Sequence, residues 1–265
     1  MIKPLIPRHL LLSISPGRLE ARLLETRLIG RPPRLVACHS SPLSSELDLG
    51  NAIPAALSGL PQTPRRTRVV LSDTFCRYFM LTRPQGTARR SELEAAMQLR
   101  LRSLFGEDPE HWMLSADARL FNREDLVCAL PRAFHQNLLA ALDAANLSLL
   151  SLRPYWVSCC ADRARQRRRG RHWLLAADAD ALTLGLFEDG RCRAVCSRRR
   201  TDEDSDLQAF LSREQVLFPA PPEEPGDTLW LYGAAAVQSL KTPVTEGGPQ
   251  QRIRTPGAFG SEAAV

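Results

Sequence analysis

Lysine is almost missing from this chain of 265 residues: Lys3 and Lys241 are the two lysines among 35 basic residues, and the other 33 are arginines. No GxxxxGK[ST] loop occurs, which excludes the lysine clamp of a P-loop. Long apolar runs are missing too. The N-terminal MIKPLIPRHLLLSIS is interrupted by Pro4, Pro7 and Arg8, falls short of the ~20 apolar residues of a spanning helix, and precedes no small-residue cleavage site. A cytoplasmic, soluble protein is expected. None of the seven cysteines, Cys38, Cys76, Cys128, Cys159, Cys160, Cys192 and Cys196, belongs to a CxxC pair. Cys192 and Cys196 are expected on one face of a strand, but no second pair or nearby histidine completes a tetrahedral metal site, so reduced, buried, structural thiols are expected. The histidines, His9, His39, His111, His135 and His172, form no HExxH, and no GxSxG occurs.

What is present is ordinary globular material, 44% hydrophobic and 24% charged, enough for one large core or two smaller ones. The formal net charge of +6 has a local origin. Six arginines, Arg163, Arg165, Arg167, Arg168, Arg169 and Arg171, fall within nine residues; without them 29 basic residues face 29 acidic ones. Three readings stand for this run: a solvated linker, a contact with anionic lipid headgroups, or binding of nucleic-acid phosphates. Aromatic residues do not interleave it, which weakens a single-strand nucleic-acid platform.

Hydrophobic alternation and turn residues predict strands at His9–Ser15, Leu19–Arg27, Arg34–His39, Thr67–Ser72 and Cys76–Thr82. A short helix is expected at Glu46–Leu57. The clearest helix is Glu92–Phe105, with Ser91 and Glu94 as a capping box, Leu93, Met97, Leu101 and Leu104 as the apolar stripe, and Gly106 as its stop. Strands at Trp112–Ala118 and Leu126–Leu130, a helix at Arg132–Ala145 ended by Asn146, a strand at Ser148–Arg153 and a helix opened by Pro154 follow. Then come strands at His172–Ala177, Leu182–Glu188 and Arg191–Ser197, with Asp189-Gly190 as a hairpin turn. A helix at 205–218, a buried strand at Thr228–Tyr232 and a loose tail after Lys241 complete the pattern.

The order strand, strand, strand, helix, strand thus occurs twice. At an offset of 163, His9–Ser15 lies over His172–Asp178, Leu19 over Leu182, Leu23 over Leu186 and Glu25 over Glu188. Two like halves, each a mixed sheet with helices, indicate a duplicated α/β architecture.

Four segments carry a resemblance: VVLSDTFCRYFML (Val69–Leu81), SELEAAMQLRLRSLFGEDPEHWML (Ser91–Leu114), ALPRAFHQNLLAALDAANLSLLSLRP (Ala129–Pro154) and WLLAADADALTLGLFEDGR (Trp173–Arg191). With the repeat, they resemble the actin-like ATPase (ribonuclease H-like) fold, and within it the PilM-type proteins of type IV pilus assembly and the cytoplasmic part of GspL-type type II secretion proteins. The resemblance implies a first half over 1–165 with an inserted helical and strand subdomain, and a second, abbreviated half over 166–265. It also implies two phosphate loops. The first reads like D-x-G in the family; here Ser13 and Ser15 stand there, followed by Pro16, which has no N–H, and Gly17. The second reads like D-x-G-G-G; here it is Ala176, then Asp178 and Asp180. The adenosine turn, usually Gly-Gly, is Gly233-Ala234. Carboxylates placed where a triphosphate belongs repel it, so hydrolysis is expected to be lost and ATP with magnesium is a disfavoured cofactor. Asp178 and Asp180 are alternatively a metal or acid–base pair.

The expected function is that of a non-catalytic scaffold at the inner membrane, in a pilus or secretion platform. The resemblance implies a short cytoplasmic peptide of a bitopic membrane protein as partner, and an assembly motor ATPase as a second one. Arg77, Tyr78 and Arg100, on the strand Cys76–Thr82 and the following helix, are the candidate partner-binding residues. An active actin-fold ATPase or kinase, and a nucleic-acid binder acting through the arginine run, are the competing classes.

Overall fold

The computed structural model describes residues 8–26, 33–45, 48–61, 64–83, 89–117, 124–164, 170–178, 180–200, 228–233 and 250–254. Its elements in chain order are β1 (Arg8–Ser15), β2 (Gly17–Glu25), β3 (Arg34–Leu43), α1 (Leu49–Ser58), β4 (Arg66–Leu71), β5 (Arg77–Thr82), α2 (Arg90–Phe105), β6 (Trp112–Ala116), β7 (Glu124–Pro131), α3 (Arg132–Ala144), β8 (Ser148–Pro154) and α4 (Tyr155–Ala164). There follow β9 (Arg171–Ala177), β10 (Ala181–Glu188), β11 (Arg191–Arg199), β12 (Thr228–Gly233) and β13 (Gln250–Arg254). Two compact units result. The first comprises 1–72, 133–162 and 256–265, the second 73–132 and 163–255. The inserted segment 73–132, assigned above to the first half, clusters with the second.

The sheet of the first unit has the order β3-β2-β1-β4-β8. β1 is antiparallel to β2 and parallel to β4, and β4 is parallel to β8. Leu10, Leu11, Leu12 and Ile14 of β1 are all buried, so both faces of this central strand are covered. The near-continuous apolar run of the sequence reports that burial. α1 contributes Leu49, Ala52, Ile53 and Ala56, and α3 contributes Phe134, Leu138, Ala141 and Leu142. Asn146 takes the left-handed conformation after α3, with φ 57°.

The larger sheet of the second unit has the order β11-β10-β9-β12-β13, the same topology strand for strand. β9 is antiparallel to β10 and parallel to β12, as β1 is to β2 and β4. Trp173, Leu175, Leu184, Leu186, Leu229 and Leu231 form its core. A three-stranded antiparallel sheet, β5-β7-β6, belongs to the same unit. α2 covers it with Met97 and Leu101, packed with Phe79, Leu81, Trp112 and Val127. The architecture is therefore α/β, with two mixed sheets of one topology and flanking helices.

Five local expectations are corrected. α2 starts earlier than its motif suggested: the Glu92 carboxylate accepts the Arg89 N–H at 3.1 Å, while Glu94 pairs with Arg90 one turn on. Leu104 is 44% exposed rather than part of the inward stripe, because α2 covers only a narrow sheet. Cys192 and Cys196 do not share a face. A register shift pairs Cys192 with Phe187 but Cys196 with Leu184, and Phe187 and Leu184 lie on opposite faces of β10. The region after Lys241 contains β13, which pairs in parallel with β12. Cys38, expected to be buried, is exposed on β3, an outer strand of its sheet. The expected helix at 205–218 lies outside the described residues. Gly106 is the stop of α2 in the left-handed conformation, φ 68°, where a side chain would be strained.

Candidate functional site

The sequence marked three places: the turn after β1, the turn after β9, and the surface of β5 with α2. In the first unit, Ser13 is buried in β1 between Glu20 and Val70, and its hydroxyl has no hydrogen-bond partner among the described residues. Ser15 donates its hydroxyl to the Arg18 carbonyl at 3.3 Å. Gly17 takes φ 76° in the tight β1–β2 connection, a value that glycine reaches without cost. This turn is a closed hairpin of Ser15, Pro16, Gly17 and Arg18.

The corresponding turn of the second unit is built differently. Ala176 and Ala177 are buried at the end of β9, and Tyr232 and Gly233 of β12 lie beside them in parallel register. Asp178 follows and is 2% exposed. One of its oxygens, Oδ1, accepts the N–H groups of Asp180 at 2.9 Å and Ala181 at 2.5 Å. The other, Oδ2, accepts the N–H of Asp73 at 3.2 Å. Its own N–H donates to the Ala181 carbonyl at 3.0 Å, closing the turn. Asp180, less buried, has its carboxyl pushed upward, first by partial burial and then by the neighbouring Asp178 charge.

Asp73 opens a short 3₁₀ turn after β4 and is equally buried. Its Oδ1 accepts the Tyr78 hydroxyl at 2.5 Å, and its Oδ2 accepts the Thr183 hydroxyl at 3.2 Å. Thr183 Oγ1 lies 2.8 Å from Ser197 Oγ. Since the single Thr183 proton is used on Asp73, Ser197 is the donor in that pair. A hydrogen-bonded chain therefore runs from Ser197 through Thr183 to Asp73, and the Asp73 backbone continues it to Asp178.

Tyr78, proposed from the sequence as a partner contact, is a core residue: it is buried, and its hydroxyl is committed to Asp73. Arg77 is half-buried, with its guanidinium over the Trp112 ring at 5.7 Å and 3.8 Å from Glu107. Arg100 is exposed on α2, beside the 69% exposed Leu99. Of the arginine run, Arg171 lies in β9, its guanidinium 5.8 Å from the Trp173 ring centre. Arg163 lies in the last turn of α4. Arg165, Arg167, Arg168 and Arg169 fall outside the described residues. Asp73 and Thr183 were not singled out by the sequence, because partners more than 100 residues apart leave no local spacing to read, and Ser197 joins only through Thr183.

Burial also fixes the alkaline response. Burial and the Asp73 charge hold the Tyr78 phenol well above its ordinary value of 10.0. Cys192 is pushed up to about 12, mainly by burial, from an ordinary 9.0. These groups stay protonated in the folded chain while the unfolded chain ionises. The stability they contribute is complete below pH 9 and is lost as pH rises through the folded values. Thermal melts are expected to hold steady from pH 7 to 8.5 and then fall progressively. Tyr78→Phe should flatten the part of the fall above pH 10, and an unchanged profile in that variant would refute the assignment.

No protein-family model and no curated protein matches this sequence. Solved structures do match its fold. The cytoplasmic domain of EpsL, an inner-membrane component of the type II secretion system of Vibrio cholerae, superposes with TM-score 0.64 at 12% identity, covering 96% of this chain and 92% of that one. The PilM–PilN type IV pilus biogenesis complex matches with TM-score 0.62 at 16% identity, covering 93% and 88%. A Bacteroides thetaiotaomicron protein with an actin-like ATPase fold matches with TM-score 0.62 at 12% identity, covering 96% and 93%. The chain has the actin-like ATPase fold, and the duplication read from the sequence is that of this fold.

Proposed function

We propose that the protein is a non-catalytic scaffold subunit of a type IV pilus or type II secretion-like assembly, working beneath the inner membrane and receiving a short cytoplasmic segment of a single-span membrane protein. The observation that carries this reading is the near-full-length likeness to two proteins of such assemblies, one of them solved in complex with PilN. Among the described residues no helix is long and apolar enough to cross a membrane, which suits a subunit that docks on a membrane partner. The phosphate loops support the non-catalytic half of the proposal. Pro16 offers no N–H in the first turn. In the second, the N–H groups of Asp180 and Ala181 are taken by Asp178, and Asp180 adds a carboxylate where the family has glycine. These residues do not fit a nucleotide triphosphate with its magnesium ion.

Two measurements test the proposal. Calorimetric titration of the whole chain with Mg-ATP is expected to give no heat of binding, and micromolar affinity would overturn the non-catalytic reading. The N-terminal cytoplasmic peptide of the single-span protein co-expressed in the same assembly is expected to bind the purified chain. Absence of binding by a folded chain would overturn the scaffold reading.

A further inference from the structure

The Asp178 carboxylate sits in a cradle of three main-chain N–H groups, two from its own hairpin turn and one from Asp73, 105 residues away in sequence. A convergent set of N–H groups is the usual backbone receptor for a phosphate or carboxylate. Here Asp73, Asp178 and Ala181 are buried and Asp180 partly so, and a side chain of the same chain fills the receptor. We propose that Asp178 is a built-in anion, an intramolecular substitute for a bound oxyanion that holds the Asp73 turn and the β9–β10 hairpin together without any ligand.

The chemistry of the surroundings supports this. A carboxylate that accepts N–H donors in a dry site makes charge-assisted bonds, stronger than neutral ones. The cradle is also held rigid from behind. Tyr78 and Thr183 fix the Asp73 side chain, Ser197 fixes Thr183, and the Asp73 N–H is thereby aimed at Asp178 Oδ2. The Asp73 carboxylate accepts the Tyr78 and Thr183 hydroxyls, and the Asp178 carboxylate accepts the three amides. The site's ligand class follows from its donors. It takes a small planar carboxylate or an inorganic oxyanion, and only when Asp178 is withdrawn.

The test is chemical rescue in the full chain. Asp178→Ala should lower the melting temperature by roughly 5–10 °C, since the buried N–H groups of Asp73 and Ala181 and the part-buried one of Asp180 lose their acceptor. Sodium formate should restore a large part of that loss in a saturable way, while sodium chloride at the same ionic strength should not. The wild type should respond to neither salt differently. Inorganic phosphate is the second probe, and rescue by it would extend the ligand class to phosphate. Asp178→Asn keeps an oxygen in the cradle, so it should melt between the two and gain nothing from formate. If Asp178→Ala does not fold, amide exchange in Asp178→Asn carries the test: the Asp73 N–H should exchange at least tenfold faster than in wild type. A variant melting like wild type, equal effects of formate and chloride, or unchanged Asp73 exchange would each overturn the proposal. The proposed function fails if the wild type binds ATP or does not bind the peptide, whereas this proposal fails on the variant's response to anions.

Discussion

Trp156→Ala is expected to cost about 3–5 kcal/mol, the range for truncating a buried tryptophan. The side chain is fully buried and is among the largest such groups in the protein. It stands on the first turn of α4, two residues after Pro154, whose carbonyl accepts the Ser158 hydroxyl at 3.1 Å. Its removal takes away a large apolar area, and the surroundings relax only in part, so a cavity remains. The loss falls on the unit that holds β1, β4 and β8. That unit should melt first and separately from the second, and a single cooperative transition is not the expected record. A melting curve followed by hydrogen exchange should show early loss of protection in β1 and β4, with β9 and β10 still protected. Leu99→Ala is the contrast: at 69% exposure it should move stability by no more than ~0.5 kcal/mol. If both variants melted together with the wild type, the placement of Trp156 in the core would be wrong.

The strands that the sequence made legible are those buried on one or both faces. His9–Ser15 and His172–Ala177 read as strands because a central strand with helices or sheet on both sides is apolar throughout, and both head their sheets' antiparallel hairpins. The 163-residue offset then matches the first residue of β1 with that of β9, Arg8 with Arg171, and the last residue of β2 with that of β10, Glu25 with Glu188. β13 was not legible for the complementary reason. Gln250–Arg254 holds one large apolar residue, Ile253, and its strand character comes from main-chain pairing with β12 rather than from side-chain pattern. The candidate site divides in the same way. Asp178 stands out beside Asp180 as an anomaly in a glycine position, so its location was readable. Its role was not, because it depends on the Asp73 amide, which the fold alone brings near. Tyr78 misled for a related reason: the alternation of β5 says which residues share a face but not which face is inside when both are covered.

Arg83→Ala should be nearly as damaging as the tryptophan variant, at about 3 kcal/mol, although Arg83 is neither apolar nor at the core. The reason lies in its partner. Asp125 of β7 has a fully buried side chain, and Arg83 grips it with two bonds, Nε to Oδ2 at 2.6 Å and Nη2 to Oδ1 at 3.2 Å. The arginine reaches from beyond the end of β5, so the pair ties β5 to β7 where Thr82 stands opposite Glu124. Removing the arginine leaves a carboxylate out of water with its main cation gone, and the desolvation already spent on Asp125 is no longer offset. Asp125→Asn should cost less than Arg83→Ala because no uncompensated charge remains inside, while Arg83, partly exposed, can turn to solvent. The double variant should sit close to Asp125→Asn alone, giving a coupling energy comparable to the Arg83→Ala loss. Equal and additive losses for the two single variants would mean that the pair acts as a surface ion pair and does not tie β5 to β7.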